Sequence, residues 1–318
     1  MKSNNYKVSI CCITYNHEKY IRDALEGFIM QKTDFPFEII IHDDASTDRT
    51  ADIIREYENK YPDLFVCIYQ KENQWSKGIM PLPTYVWPKA RGKYIALCEG
   101  DDYWTDPYKL QKQVDILEAH PEYSMCFTAR NVIDRDGNFF RIERYPQRIF
   151  KTKDVVKNFI PATQTILMRN FPGLITFRQR HSSYPSGDRL VAYYCSLMGD
   201  IYYLDEVTAC YRESGEGVWS SFDNLAKREK RLERFREFYK ILGIEENNIN
   251  LIDRGLYEFY SYIKSELSHP LKLIKNFNKY YRKYLDATQL SLFLVVLYLR
   301  IKRRVVKFFR KIFFKNNL

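Results

Sequence analysis

Glycine and proline are scarce, at 12 each in 318 residues, which argues against a loop-built or repeat-built protein. Neither G-x-G-x-x-G nor G-x-x-x-x-G-K-[ST] occurs, so the glycine-cradled phosphate sites of dinucleotide-binding and P-loop proteins are excluded. The five histidines share no ligand-type spacing, and a zinc site is not expected. The seven cysteines, Cys11, Cys12, Cys67, Cys98, Cys126, Cys195 and Cys210, are odd in number and form no C-x-x-C. Most lie in apolar runs, as expected for small buried side chains in a reducing compartment. No apolar run reaches the roughly 20 residues a membrane span needs. MKSNNYK leads into a run of about eight apolar residues, the length of a buried strand and short for a secretory leader.

What is present is an ordinary globular composition, 45% hydrophobic and 28% charged, with 26 Tyr and 21 Phe. The charge is uneven. Residues 271–318 hold 13 Lys/Arg and one acid, Asp286, a net +12 against +10 for the chain, which leaves residues 1–270 at −2. Cations gathered in a tail, not along a groove of the body, speak against a nucleic-acid partner. Within the tail, LSLFLVVLYL is followed by RIKRRVVKFFRKIFFK. Cations interleaved with aromatics over about 287–318 suit an amphipathic segment lying on an anionic membrane surface. The alternative is a core helix with a basic solvated face.

Strand and helix patterns alternate along the first 100 residues. Lys7–Tyr15, Phe37–His42, Leu64–Tyr69 and Lys93–Cys98 read as strands, the first two buried on both faces. Glu18–Met30 and Thr47–Tyr61 carry helical apolar spacing, the second with Ser46 or Thr47 as N-cap. Asp106-Pro107 reads as the start of a third helix, with Asp as N-cap and Leu110, Val114 and Leu117 on one face. The expectation is an α/β fold, a mostly parallel sheet with helices on both faces. After Tyr123, two strand patterns flank Asp136-Gly137 as a hairpin. Gln164–Met168 and Asp200–Tyr211 are further strand candidates. From Ser221 the chain is charged, Tyr-rich and helical in period, so a boundary is expected near Ser220: a body of 1–220 and a helical region of 221–318.

Ligands of open parallel sheets bind beyond the carboxyl ends of the strands. There this chain places Thr14-Tyr15-Asn16, then Asp43-Asp44-Ala45-Ser46-Thr47-Asp48, then Glu99-Gly100-Asp101-Asp102-Tyr103-Trp104. Neighbouring acidic clusters are costly unless a cation or hydrogen-bond donors sit among them. Oxygen-only ligands at Glu99, Asp101 and Asp102 suit Mg²⁺ or Mn²⁺. Asp43 or Asp44 could accept from a base N–H, while Asp48 reads as a helix cap. Trp104 is either a wall of the binding site or a core aromatic. Arg suits phosphate, so Arg212, with Trp219, could close on a bound phosphate group, or Arg212 could simply pair with Glu213.

These segments, VSICCITYN, EIIIHDDASTD and ARGKYIALCEGDD, with SGDRLVAYYCSLMG and ACYRESGEGVWS further on, resemble a family-2 glycosyltransferase of the GT-A fold over roughly residues 6–220. The resemblance implies a Rossmann-like domain that moves a sugar, with inversion, from a nucleotide-sugar donor. UDP is the expected nucleotide and a hexosyl or N-acetylhexosaminyl group the expected cargo. Thr14, Tyr15 and Asn16, with Asp43 or Asp44, would hold the nucleoside. Glu99-Gly100-Asp101 occupies the D-x-D position, with Asp101 on Mn²⁺ or Mg²⁺, Asp102 beside it and Glu99 toward the ribose. Trp104 and Arg212 would line the substrate, and Asp188 matches the catalytic base. The acceptor would be a saccharide or lipid-linked saccharide in surface polysaccharide or glycolipid synthesis, handled by a cytoplasmic enzyme peripheral on the inner face of the plasma membrane. The alternative from another class is a non-catalytic nucleotide- or carbohydrate-binding protein on the same fold. A sugar-1-phosphate nucleotidyltransferase would need a glycine-rich N-terminal loop that is missing.

Overall fold

The computed structural model describes residues 5–157, 159–184, 187–213, 234 and 237–243. The chain divides into two units, Met1–Ser221 and Phe222–Leu318. The expected boundary at Ser220, Trp219 and the basic tail at 287–318 lie outside the described residues.

The first unit is built on one mixed sheet. β1 (Val8–Thr14), β2 (Phe37–Asp43), β3 (Phe65–Tyr69) and β4 (Tyr94–Leu97) run parallel in the order β3-β2-β1-β4. Between them run α1 (Ile21–Ile29) and α2 (Thr50–Lys60). β5 (Tyr103–Trp104) and α3 (Lys109–Ala119) follow. The hairpin is present as β6 (Tyr123–Asp134) and β7 (Phe139–Glu143), turning at Gly137, whose φ of 91° suits glycine. Then come β8 (Ile149–Phe150), α4 (Thr152–Lys157), β9 (Leu167–Arg169), α5 (Gly173–Arg180), α6 (Gly187–Met198) and β10 (Asp200–Glu213).

Beyond β4 the sheet departs from the all-parallel expectation. β9 pairs antiparallel with both β4 and β6, and β6 then runs parallel to β10. Three residues of β9 thus join the parallel half to the long β6–β10 ladder.

Alternation along β1 divides the core between the two faces. Val8, Ile10 and Cys12 pack with Leu25, Phe28, Ile54, Leu110 and Leu117 of α1–α3. Cys11, with Ile40 and Leu97, packs on the other face with Val86, Trp87, Leu174, Val191 and Cys195. Each fully buried aliphatic side chain contributes about 1.5–3 kcal/mol. All seven cysteines are free thiols, and six are buried.

The helix starts are later than their apolar spacing suggests, and of the caps expected for α2 only Asp48 is engaged at its start. α2 begins at Thr50, after Arg49, because Asp48 Oδ1 accepts from the backbone N–H and hydroxyl of Thr50. Ser46 and Thr47 are engaged elsewhere, as described below. α1 begins at Ile21, because His17 and Glu18 direct their N–H groups to Thr50 and Asp48. α3 begins at Lys109, and Asp106 forms a turn by accepting from the Tyr108 N–H (2.8 Å).

The opposite end of the parallel strands is closed around Glu38. This wholly buried carboxylate accepts from the Ser9 hydroxyl (2.6 Å), the Arg91 N–H (2.9 Å) and Arg91 Nε (2.8 Å).

Candidate active site

Thr14 and Asp43 are paired residues at the ends of β1 and β2, and β4 flanks β1 on its other side. The three strand-end segments singled out in the sequence, two of them acidic, therefore converge on one rim. Gly100 fixes how closely. Its N–H donates to Ile13 O (3.0 Å), and a Cβ there would fall 2.6 Å from Thr14 Oγ1. Any other residue would push the acidic loop off the end of β1.

Glu99, Asp101 and Asp102 bring one oxygen each within 4.8 Å of one another. Burial, then the charges of Asp101 and Asp188, push the Glu99 carboxyl up to about 8. Burial, Asp101 and Glu99 push Asp102 well above the usual carboxylate range. Three carboxylates so placed repel one another, and a cation among them reverses the cost. The donor set is all oxygen and holds no thiolate, which fits Mg²⁺ or Mn²⁺. Asp101 and Glu99 are half-buried. Asp102 is buried, and its Oδ1 accepts from the Arg212 N–H (2.8 Å), so it also ties this loop to β10.

Asp43 and Asp44 differ in what they can still bind. Asp44 spends both oxygens on backbone N–H groups, Oδ1 on Gln74 (2.8 Å) and Oδ2 on Trp75 (3.0 Å). It holds the following loop in place. Asp43 accepts from the Ser46 N–H through Oδ2, while its buried Oδ1 has no partner. Burial raises its pKa. Of the pair, Asp43 is the one with an acceptor to spare.

Thr14 is buried, with its hydroxyl 3.1 Å from His17 Nδ1. Asn16 and Ala45 both take positive φ, 55° and 62°, a conformation disfavoured outside glycine. Asn16 donates its N–H to Ser46 Oγ (2.9 Å) and accepts from the Thr47 N–H (2.8 Å). It binds the two rim loops to each other, and its side-chain oxygen is already used. Tyr15 is exposed beside it.

Asp188 lies in the first turn of α6, half-buried, with Oδ1 accepting from the Arg189 N–H (2.8 Å). Its charge acts on Glu99 and on the buried Arg178, which burial lowers to about 10. The structure thus brings Asp188 toward the acidic cluster from a helix nearly 90 residues later in sequence.

Two expectations need correction. Trp104 is 1% exposed: its Nε1–H donates to Gln164 O (2.8 Å), and its ring packs edge-on against Phe28. Lys109 Nζ sits 4.3 Å from the ring centroid. The ring belongs to the core and offers no face to a sugar. Arg212 does not pair with Glu213, which turns to Arg141 instead. Arg212 is buried, stacked near Tyr20 and Tyr103, and bonds Asp101 O (3.1 Å) and Asp23 Oδ2 (2.8 Å).

Sequence reasoning missed His17, whose Nε2 lies 3.9 Å from Asp101 Oδ2. Its position three residues past Thr14, at a strand end, was the available signal. Asp23 carried none, since its partner Arg212 lies on the distant β10.

Residues 9–180 match the sequence profile described as Glycosyl transferase family 2. An uncharacterized protein of Mycobacterium tuberculosis (strain H37Rv) is 40% identical over 222 residues, 67% of this chain and 61% of the relative. The chain thus spans about three fifths of the length of the curated relatives of that group. The poly(ribitol-phosphate) β-N-acetylglucosaminyltransferase TarS of Staphylococcus aureus is 36% identical over 100 residues, 30% of this chain and 16% of TarS. The crystal structure of TarS 1–349 with UDP-GlcNAc superposes with a TM-score of 0.53 at 19% identity, over 80% of each chain. The mannosyltransferase PcManGT from Pyrobaculum calidifontis, in complex with GDP-Man and Mn²⁺, gives a TM-score of 0.53 at 15% identity, over 94% of this chain and 81% of its own. At these identities the likeness carries the fold, which is of the GT-A type.

Proposed function

The chain belongs to glycosyl transferase family 2, and on that premise we propose that it is an inverting glycosyltransferase using a nucleotide-sugar donor, UDP-linked, in surface polysaccharide or glycolipid synthesis. The observation that carries the reading is the gathering of Glu99, Asp101 and Asp102 within 4.8 Å at the strand ends, beside Asp43 with its unpartnered oxygen. TarS and PcManGT, whose structures hold UDP-GlcNAc and GDP-Man with Mn²⁺, support the donor class and the use of a divalent ion.

Asp101, with Glu99 and Asp102 beside it, would hold Mn²⁺ or Mg²⁺, which when bound supplies charge stabilisation to the departing diphosphate. Asp43 accepts a base N–H, Thr14 and Tyr15 border the nucleoside, and Glu99 reaches the ribose. Asn16 and Asp44 serve by shaping the loops around it. Asp188 takes the proton of the acceptor hydroxyl as its oxygen attacks the anomeric carbon. One base acting on one face gives a single displacement and inversion, unlike the paired carboxylates that activate water in hydrolases.

The sugar is a hexosyl or N-acetylhexosaminyl group, and the acceptor a saccharide or lipid-linked saccharide. We assign 1–220 as the catalytic domain and 221–318 as a helical region whose basic end, about 287–318, rests on the inner face of the plasma membrane. No helix among the described residues is long and apolar enough to cross a membrane.

The test is a screen of nucleotide-sugars, each with and without Mn²⁺, for donor hydrolysis and thermal stabilisation. The reading expects at least one donor to stabilise the protein and to be cleaved only with the ion. Stabilisation without any cleavage or transfer would favour a binding protein on the same fold.

A further inference from the structure

A cleft of about 370 Å³ lies behind the acidic loop, lined by Lys19, Tyr20, Asp23, Arg135, Asp136 and Arg212. Three segments build it: the entry and first turn of α1, the turn of the β6–β7 hairpin, and the end of β10. Five of its six lining residues are charged, and both acids already face a cation. Asp23 pairs with Arg212 at 2.8 Å, and Asp136 lies 3.8 Å from Arg135. Lys19 has no partner among the described residues, so the cleft keeps a net positive charge.

Arg212 is the fixed part. It is 6% exposed, with Cζ 4.7 Å from the Tyr20 ring centroid and 5.5 Å from that of Tyr103. A guanidinium carries five N–H donors. Three are used, on Asp101 O, Arg135 O and Asp23 Oδ2, which leaves two without a partner among the described residues. A buried, oriented guanidinium with spare donors beside a free ammonium matches the geometry and charge of a phosphate group.

We propose that this cleft is a phosphate subsite, separate from the place of the donor diphosphate, and that it receives a phosphate monoester or diester carried by the acceptor. The donor's phosphates belong with the carboxylate of Asp101, whereas the cleft adjoins the Asp101 carbonyl through Arg212. The word acceptor rests on the transferase reading, but binding of phosphate to the cleft does not.

The test uses the full chain in EDTA, titrated with inorganic phosphate, glycerol 3-phosphate and dihexanoyl phosphatidic acid below its micellar concentration. The proteins are wild type, the double variant Lys19→Gln/Arg135→Gln, and Asp101→Asn, each first checked for an unchanged melting temperature. Wild type and Asp101→Asn should bind alike, and the double variant at least about tenfold more weakly, as for the loss of one charge-assisted hydrogen bond. UDP with Mn²⁺ should give the reverse, weakened by Asp101→Asn and spared by the double variant. A preference for glycerol 3-phosphate points to a polyol-phosphate acceptor, and one for phosphatidic acid to a lipid-borne phosphate. Absence of phosphate binding by wild type, equal binding by the double variant, or loss of UDP binding by the double variant overturns the proposal. Failure of the transferase reading would appear elsewhere, as the absence of any Mn²⁺-dependent nucleotide-sugar binding.

Discussion

The two ends of the parallel strands treat their acids in opposite ways. At the amino ends, Glu38 is wholly buried and satisfied by Ser9 and Arg91. Gly92 closes that end so tightly that a Cβ would meet Ser9 N at 2.5 Å. At the carboxyl ends, Glu99, Asp101 and Asp102 crowd together, and Asp43 keeps a buried oxygen without a partner. The first arrangement holds the sheet together. The second crowds like charges, a cost that a cation among them would offset. Buried acids are thus informative by their partners and not by their number.

Breaking the carboxyl end should remove chemistry and leave the fold. Asp188→Asn is expected to lower turnover by about 10²–10⁴, the usual contribution of a positioned general base. Donor affinity and melting temperature should stay near wild type. Steady-state kinetics beside calorimetric donor binding check this, and near-normal turnover would remove Asp188 from the mechanism.

Breaking the amino end should do the converse. Glu38→Ala strands the Ser9 hydroxyl and the Arg91 N–H, at a cost of about 2–4 kcal/mol. Arg91 is half exposed, so its charge adds little. Urea unfolding should register the loss, with donor affinity of the folded fraction unchanged. A fall in donor affinity matching that of a rim variant would erase the contrast between the ends.

The contrast sharpens with pH. Glu99 is raised from 4.5 to about 8 in the metal-free protein. Between those values the native state binds more protons than the unfolded state, so stability falls as pH rises across that window. Glu99→Gln should flatten the slope relative to wild type, by an amount on the order of 1–3 kcal/mol across the window. Mn²⁺ should flatten it too, since it favours the ionised carboxylate. Thermal melts from pH 5 to 8, with and without the ion, decide. Identical slopes for wild type and Glu99→Gln would show that the cluster is not strained by its charges.

The smallest effect belongs to Trp104, which neighbours the rim in sequence but lies in the core. Trp104→Phe should cost about 1 kcal/mol through the lost bond to Gln164 O. Donor KM should not change. A raised KM with unchanged stability would return the ring to the substrate site.

Much of this was legible in the sequence. Continuous apolar runs read as ending at Tyr15, His42 and Cys98, the last two followed directly by acids, located the rim, because strand burial and strand ends both leave local marks. Helix starts were less legible: the loops at 14–18 and 44–50 exchange hydrogen bonds, and cross-loop partners, unlike caps, have no fixed spacing. Arg212 and Asp23 lie 189 residues apart, so their pairing had no sequence sign. Trp104 misled because β5 is two residues long and turns its ring inward at once.

The central claim is that the clustered acids at the carboxyl ends hold a divalent ion together with the donor. Electron paramagnetic resonance of free Mn²⁺, titrated with protein and UDP, measures it directly on wild type and Asp101→Ala. The account predicts that wild type and UDP together deplete the free-ion signal more than UDP alone, and that Asp101→Ala with UDP does no better than UDP alone. Equal depletion by both proteins would contradict it.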